Sequence, residues 1–237
     1  MLTSLRPASG AAARCSGGPA RRCAAPPRQR QRPRRAPLPP PRAAAEQAPG
    51  LAIGSAVRMS TLPTCELAVA VYPRFKYNAA DGGGSGRVAD LGGGKLRLTF
   101  DPAELNIPAL NWRTASIFGV PIPPPLNIAI VPQRFEGTLD RATGVMELSF
   151  LARFEFTAGS LYKAPPLIVE TVLTTEHSEG QIHSADGRRL GPDGSARLVG
   201  VARVPRVEAE NDWWTNIFLM LPTDALAVMD ARFEFSD

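Results

Sequence analysis

The sequence predicts a mainly β protein: an antiparallel barrel or sandwich, a lipocalin-like barrel among the options, with one short helix. Three observations point there. Between residues 66 and 235, several runs place apolar side chains at every second position, the period of a strand with one wet face. Gly-, Asp- and Pro-rich turn signals separate those runs. Alternating strand and helix patterns are missing, which argues against a parallel, nucleotide-binding sheet.

The N-terminal segment is of a different kind. Met1 to Ala45 holds ten Arg, no Lys and no acid. Such an Arg-rich, acid-free, Ala- and Ser-containing stretch has the composition of an organelle transit peptide. Residues 1–58 are therefore expected to be a disordered Arg/Pro/Ala-rich transit peptide, and 60–237 a single antiparallel β domain. IGSA at Ile53 to Ala56 resembles a chloroplast cleavage pattern, and the mitochondrion is the competing destination. A basic tail that binds an acidic partner is the alternative. From Ser60 onward, sixteen Lys and Arg face twenty-one Asp and Glu, a net of about −5 despite the whole chain's +5. That negative body argues against nucleic acid, whose binding depends on neutralising phosphates. No apolar run is long enough for a membrane-spanning helix.

Within the body, ELAVAVY (66–72) reads as an apolar strand and DGGGSG (81–86) as a loop, because clustered glycines lose much entropy in regular structure. KLRLTF (95–100) alternates strictly, with Leu96, Leu98 and Phe100 on one face, and Asp101–Pro102 ends it. NIAIVPQRFEGTLD (127–140) reads as one or two short strands, closed by an LDRATG turn. VMELSFLARFEF (145–156) is the clearest strand: Met146, Leu148, Phe150, Ala152, Phe154 and Phe156 share one face. LIVETVLTTE (167–176), ARLVGVARV (196–204) and DALAVMDARFEF (224–235) follow the same rule. In NDWWTNIFLMLP (211–222), Trp214, Ile217, Phe218 and Leu221 are spaced for a short helix capped by Asn211 or Asp212. Six to nine strands are expected in total.

ARFEF occurs twice, at Ala152 to Phe156 and at Ala231 to Phe235. Thr143 lies nine residues before the first copy's start and Thr223 eight before the second's. A duplicated domain would keep its register, since a slip of one residue swaps the faces. The repeat is thus one strand solution used twice, Phe-x-Phe inward and Arg and Glu toward solvent, where a cross-strand partner can pair with either charge.

Catalytic and metal patterns are sparse. DLGGGKL (90–96) lacks the first Gly and the Ser/Thr of a phosphate loop and reads as a hairpin turn. His177 and His183, the chain's two histidines, have Glu176 and Glu179 nearby. A turn at Ser178–Gly180 would bring them together as weak metal candidates, short of the three or four ligands zinc takes. No nucleophile motif accompanies them. Cys65, the body's lone cysteine, is expected half-buried, and no catalytic residue and no cofactor are predicted.

Other candidates concern binding. Inward-facing Phe100, Phe150, Phe154, Phe156, Phe233 and Phe235 would line a barrel interior able to hold an apolar small molecule or lipid. Pro121, Pro123, Pro124 and Pro125, with Pro165 and Pro166, present preset backbone for docking a protein partner. Trp213 and Trp214 suit a membrane interface.

The run of YPRFKYN, LTFDP, PIPPPLNIAIVPQ, SLYKAPPLIVETVLTTE, ARLVGVA and FLMLPTDALAV, covering most of Leu62 to Phe235, resembles an uncharacterised conserved protein family of cyanobacteria and chloroplasts. In architecture alone, a transit segment before a β-rich body is also similar to the plastid lipid-associated (fibrillin) proteins, which implies a lipocalin-like fold. These likenesses imply a non-catalytic chloroplast protein, stromal or thylakoid-associated. It would bind a lipid or isoprenoid and touch the thylakoid membrane or a lipid globule. The alternative is an assembly module for a photosynthetic complex.

Overall fold

A computed structural model describes residues 55–208 and 213–236, except for the side chains of Trp213 and Trp214. The transit-peptide reading and the Asn211/Asp212 cap lie outside the described residues. The strands, in chain order, are β1 (Ala56–Thr61), β2 (Cys65–Val69), β3 (Phe75–Tyr77), β4 (Gly83–Gly92) and β5 (Lys95–Phe100). β6 (Ala115–Ile117), β7 (Val120–Pro121), β8 (Leu126–Asp140), β9 (Met146–Ala158) and β10 (Tyr162–Lys163) follow. β11 (Leu167–Thr174), β12 (His177–Glu179), β13 (Ser184–Asp186) and β14 (Ser195–Val204) precede α1 (Trp213–Phe218), and β15 (Thr223–Ser236) ends the fold. The expected antiparallel, mainly β architecture is present. Strand number exceeds the expectation because six of the strands are only two or three residues long, too short for an alternating pattern.

β1 pairs with both β4 and β15, so the order β1-β4-β5-β8-β9-β11-β14-β15 closes on itself as an eight-stranded antiparallel ring. The ring forks on β15. Its C-terminal half pairs with β1 (Thr61↔Ala231), and its N-terminal half with β2 (Val228↔Glu66). β2 leads on to β3, β6 and β7, and Leu110 then bridges to Ile128 on β8. Two sets of strands thus complete the wall at two heights. β8 and β15, the longest strands, serve both.

The lower level is filled. Leu96, Leu98, Phe100, Leu139, Met146, Leu148 and Phe233 pack there as one buried cluster. KLRLTF forms β5 as expected, and Asp101 Oδ1 accepts the Ala103 N–H at 2.9 Å just past its end.

Three expectations change. DGGGSG is not simply a loop: Gly83, Gly84 and Gly86 lie within β4. A Cβ at Gly86 would stand 2.8 Å from the Phe100 ring and 2.8 Å from the Thr99 carbonyl oxygen. Close approach selects glycine here over its entropic cost of roughly 0.5–1 kcal/mol. Residues 127–140, expected as one or two strands, lie in the single long strand β8, in which the register shift between Pro132 and Arg134 turns the inward parity over. Ile128 and Ile130 face inward before it and Phe135 after it, so no single alternation shows in the sequence. β2 stops at Val69, since Ala70 takes a φ of 51°. The body also begins earlier than Ser60: β1 starts at Ala56, and Val57 is buried.

α1 forms, but its buried face is not the one the spacing suggested. Ile217 and Phe218 are exposed, while Thr215, Leu219 and Leu221 are buried. The helix ends at Phe218, so the periodicity assumed through Leu221 does not continue. Among the described residues, no helix is long and apolar enough to cross a membrane.

Candidate functional site

β9 and β14 both run antiparallel to β11, so their C-terminal ends point the same way. By the same logic of pairing, the 70–74, 117–120, 122–125 and 159–161 connections and α1 all lie at that end of the barrel. The β12–β13 hairpin lies outside β14 and β15, with its tip at the same end. There Ile182 N–H, at 2.9 Å, and Gln181 N–H both donate to Asp224 Oδ2.

A cavity of about 310 Å³ occupies the upper level. Met59, Phe135, Phe150, Leu173 and Leu198 form its floor. Its lining rises to Tyr72, Ile117 and the half-exposed Phe218, where it reaches the surface. The space has an identifiable cause. On β14 and β15, Gly200 faces Ala227 and Ala202 faces Ala225, two adjacent cross-strand pairs of the smallest side chains. Across the barrel, Phe154 and Phe156 on β9 and Ile128 and Ile130 on β8 line the opposite wall. Below, β14 and β15 again face each other with a small pair, Ala196 and Ala231, but Leu96, Leu98, Phe100, Leu148 and Phe233 pack around it. Gly200 is itself required: a Cβ there would stand 2.8 Å from both Leu173 Cδ2 and the Val172 carbonyl oxygen.

Among the described residues, no Asp, Glu, His, Lys or Arg lines the cavity. Its polar side chains bond to backbone oxygens. Thr61 Oγ1 donates to Ala79 at 2.6 Å, Thr171 Oγ1 to Val201 at 3.1 Å, and Asn106 Nδ2 to Asp81 at 2.8 Å. Tyr72 OH donates to Phe218 at 2.7 Å and Tyr77 OH to Pro108. Burial raises the Tyr77 phenol above its ordinary range and keeps it neutral. The hydroxyls of Thr61, Thr171, Tyr72 and Tyr77 are thus engaged with the backbone. Such a chamber favours an uncharged hydrocarbon, at about 0.8 kcal/mol for each methylene removed from water.

Phe218, Leu219 and Leu221 roof the chamber. Tyr162 OH meets Thr215 Oγ1 at 2.9 Å, Asn216 exchanges two 2.9 Å bonds with the Val207 backbone, and Arg206 Nε donates to the Leu221 carbonyl at 3.2 Å.

The six predicted phenylalanines separate into two groups. Phe150, Phe154 and Phe156 line the chamber. Phe100 and Phe233 are packed into the filled level, and Phe235 is half-buried against it, opposite Val57 on β1. The two ARFEF copies thus occupy different levels, both with Phe-x-Phe inward. Arg153 and Glu155 pair with each other at 2.8 Å along one strand rather than across strands, since both occupy the same outward face. Pro121, Pro123, Pro124 and Pro125 are exposed at the mouth end, with Ile122 buried among them. Trp213 and Trp214 open α1, and their side chains are outside the described residues.

The predicted hairpin joins His177 and His183 to different partners. His177 Nδ1 lies 2.7 Å from Asp186 Oδ1, and His183 Nε2 lies 2.7 Å from the Ala70 carbonyl oxygen. The turn covers Gly180 to His183 instead of Ser178 to Gly180 and leaves the two histidines apart along the hairpin. Cys65 is buried rather than half-buried, beside the Leu62 carbonyl, and burial pushes its thiol up to about 11.

The upper wall of Leu67, Phe75, Tyr77 and Leu110 was missed by sequence reasoning, as were the small residues opposite Phe154. A signal existed for the latter: ARLVGVARV and DALAVMD each carry Gly or Ala at successive same-face positions.

No protein-family model, no curated protein and no solved structure matches this chain.

Proposed function

We propose that this protein is a non-catalytic plastid protein that holds one apolar molecule, an acyl chain or an isoprenoid, inside its barrel, at a thylakoid or lipid-globule surface. The observation that carries this reading is the charge-free chamber of about 310 Å³ reaching the surface at one end. That volume lies at the low end of the roughly 300–1,000 Å³ typical of ligand sites, which suits one chain. The Arg-rich, acid-free first 45 residues support the plastid assignment, with the mitochondrion as the competing organelle. Because β1 starts at Ala56, removal of a transit peptide would have to stop short of Val57 to preserve the barrel.

Native mass spectrometry of protein isolated from plastids tests the reading. A bound hydrocarbon-rich adduct, released on denaturation, is the expected result. Ligand-free protein that also fails to take up added fatty acid would refute it.

A second reading rests on the exposed prolines at the mouth, which would form a docking edge for a photosynthetic complex. Pull-down from thylakoid extract, weakened by Pro123→Ala with Pro124→Ala, would favour it.

A further inference from the structure

The exposed large apolar side chains at the barrel's ends are distributed unevenly. Leu161, 97% exposed, tips the β9–β10 turn, and Phe118, 86% exposed, tips the β6–β7 turn. Val71, Val120, Ile217 and Met220 are exposed around the same mouth. Among the described residues, the turns at the filled end expose only Leu91 of this class. Scattered apolar residues need no explanation, but a ring of them around the opening of an apolar chamber does.

The turn chemistry gives a second sign. Phe118 and Met220 hold φ values of 50° and 53°. Phe118 and Gly119 form the two-residue turn between β6 and β7, and Met220 follows the end of α1, two places where a left-handed residue is ordinary and Gly or Asn is favoured. Turn geometry therefore does not account for a large apolar side chain at either position.

The charges at this end decide the chemistry of the partner. Among the described residues, exposed Arg74, Lys163, Arg203 and Arg206 stand against Glu179 and Glu208. The difference is two positive charges spread around the rim, too few for a strong field that selects an anionic surface. The apolar tips sit on separate turns, an arrangement a fluid surface accommodates without fitted pockets.

We infer that the mouth end docks on a lipid surface of uncharged or zwitterionic headgroups, with Phe118, Leu161 and Ile217 entering the interface. The chamber then opens toward the hydrocarbon from which its occupant is drawn. This inference rests on the ligand reading above for its purpose, though not for its geometry.

Flotation of the full chain with phosphatidylcholine vesicles, with and without added anionic lipid and at low and high salt, provides the test. Uptake of the fluorescent fatty acid cis-parinaric acid is measured in parallel without vesicles. Wild type should float with phosphatidylcholine alone and resist salt. Combining Phe118→Ser, Leu161→Ser and Ile217→Ser should lower the floating fraction at least about tenfold while leaving fatty-acid uptake unchanged. The single change Leu161→Ser, at a turn tip, controls for misfolding and should lower flotation on its own. Undiminished flotation of the triple variant, no flotation of the wild type, or flotation only with anionic lipid at low salt would each overturn the inference. Wild-type flotation without fatty-acid uptake would support the docking face and end the ligand reading alone.

Discussion

Arg197 and Asp230 face each other directly across β14 and β15 and form a two-pronged ion pair, Nε to Oδ1 at 2.8 Å and Nη2 to Oδ2 at 2.9 Å. Thr64 Oγ1 also donates to Oδ2 at 2.8 Å, and the Leu62 N–H to the Asp230 carbonyl at 2.9 Å. Asp230 therefore pins the jog between β1 and β2, where the wall divides into its two levels. Its side chain is 5% exposed and that of Arg197 41%, so solvent screens one partner.

Asp230→Asn should destabilise the fold by about 1–3 kcal/mol, the range for losing hydrogen bonds to a charged group. The Arg197 bonds, followed by that from Thr64, hold the Asp230 carboxyl below its ordinary range. The unfolded chain therefore binds this proton more readily, and the contribution is complete above roughly pH 4–5. It is lost as pH falls through the depressed value. Urea melts at several pH values should show the gap between wild type and variant closing on the acid side; a constant gap would rule out the linkage.

Filling the chamber should separate binding from folding. Ala227→Phe places a ring in the space bounded by Gly200 and Ala225. Fatty-acid affinity should fall at least about tenfold, with a stability change within about 1–3 kcal/mol as extra volume is accommodated. Fluorescence titration and thermal melts measure the two effects. Unchanged affinity would place the ligand elsewhere.

Gly86→Val tests the close approach on β4. Its Cβ would meet the Phe100 ring and the Thr99 carbonyl at 2.8 Å, so a loss of about 1–3 kcal/mol is expected from overpacking. Gly92→Ala, at the last residue of β4 with open space around it but a φ of 80°, should cost less, on the order of 1 kcal/mol. Denaturant midpoints of the two variants give the comparison.

Asp224 holds the β12–β13 hairpin to the barrel through Gln181 and Ile182 N–H groups. Asp224→Ala should speed amide exchange at those two positions severalfold or more while β9 amides keep their protection. Equal loosening throughout would mean a global role instead.

Cys65 should resist alkylation at pH 8 in the folded protein, because its thiol is buried and raised to about 11. Peptide mapping after iodoacetamide should find it modified only in denaturant, with Cys15 and Cys23 scored separately.

The alternating runs of β5, β9, β11, β14 and β15 determined the fold class and which phenylalanines turn inward, because a strand's side-chain period is local. They could not place Phe100 and Phe154 at different heights, since height depends on how strands shear past one another in the closed ring. Nor could they foresee the bulge after Pro132 that joins two inward faces into β8, or the strand hidden in DGGGSG, whose glycines answer to the Phe100 ring. The chamber was beyond the sequence for the same reason. Each Gly and Ala of β14 and β15 is unremarkable alone, and space appears only where Gly200 meets Ala227 and Ala202 meets Ala225 with Phe154 across the barrel. Composition and periodicity act along the chain, whereas a cavity is a deficit of volume summed over strands that only tertiary pairing brings together.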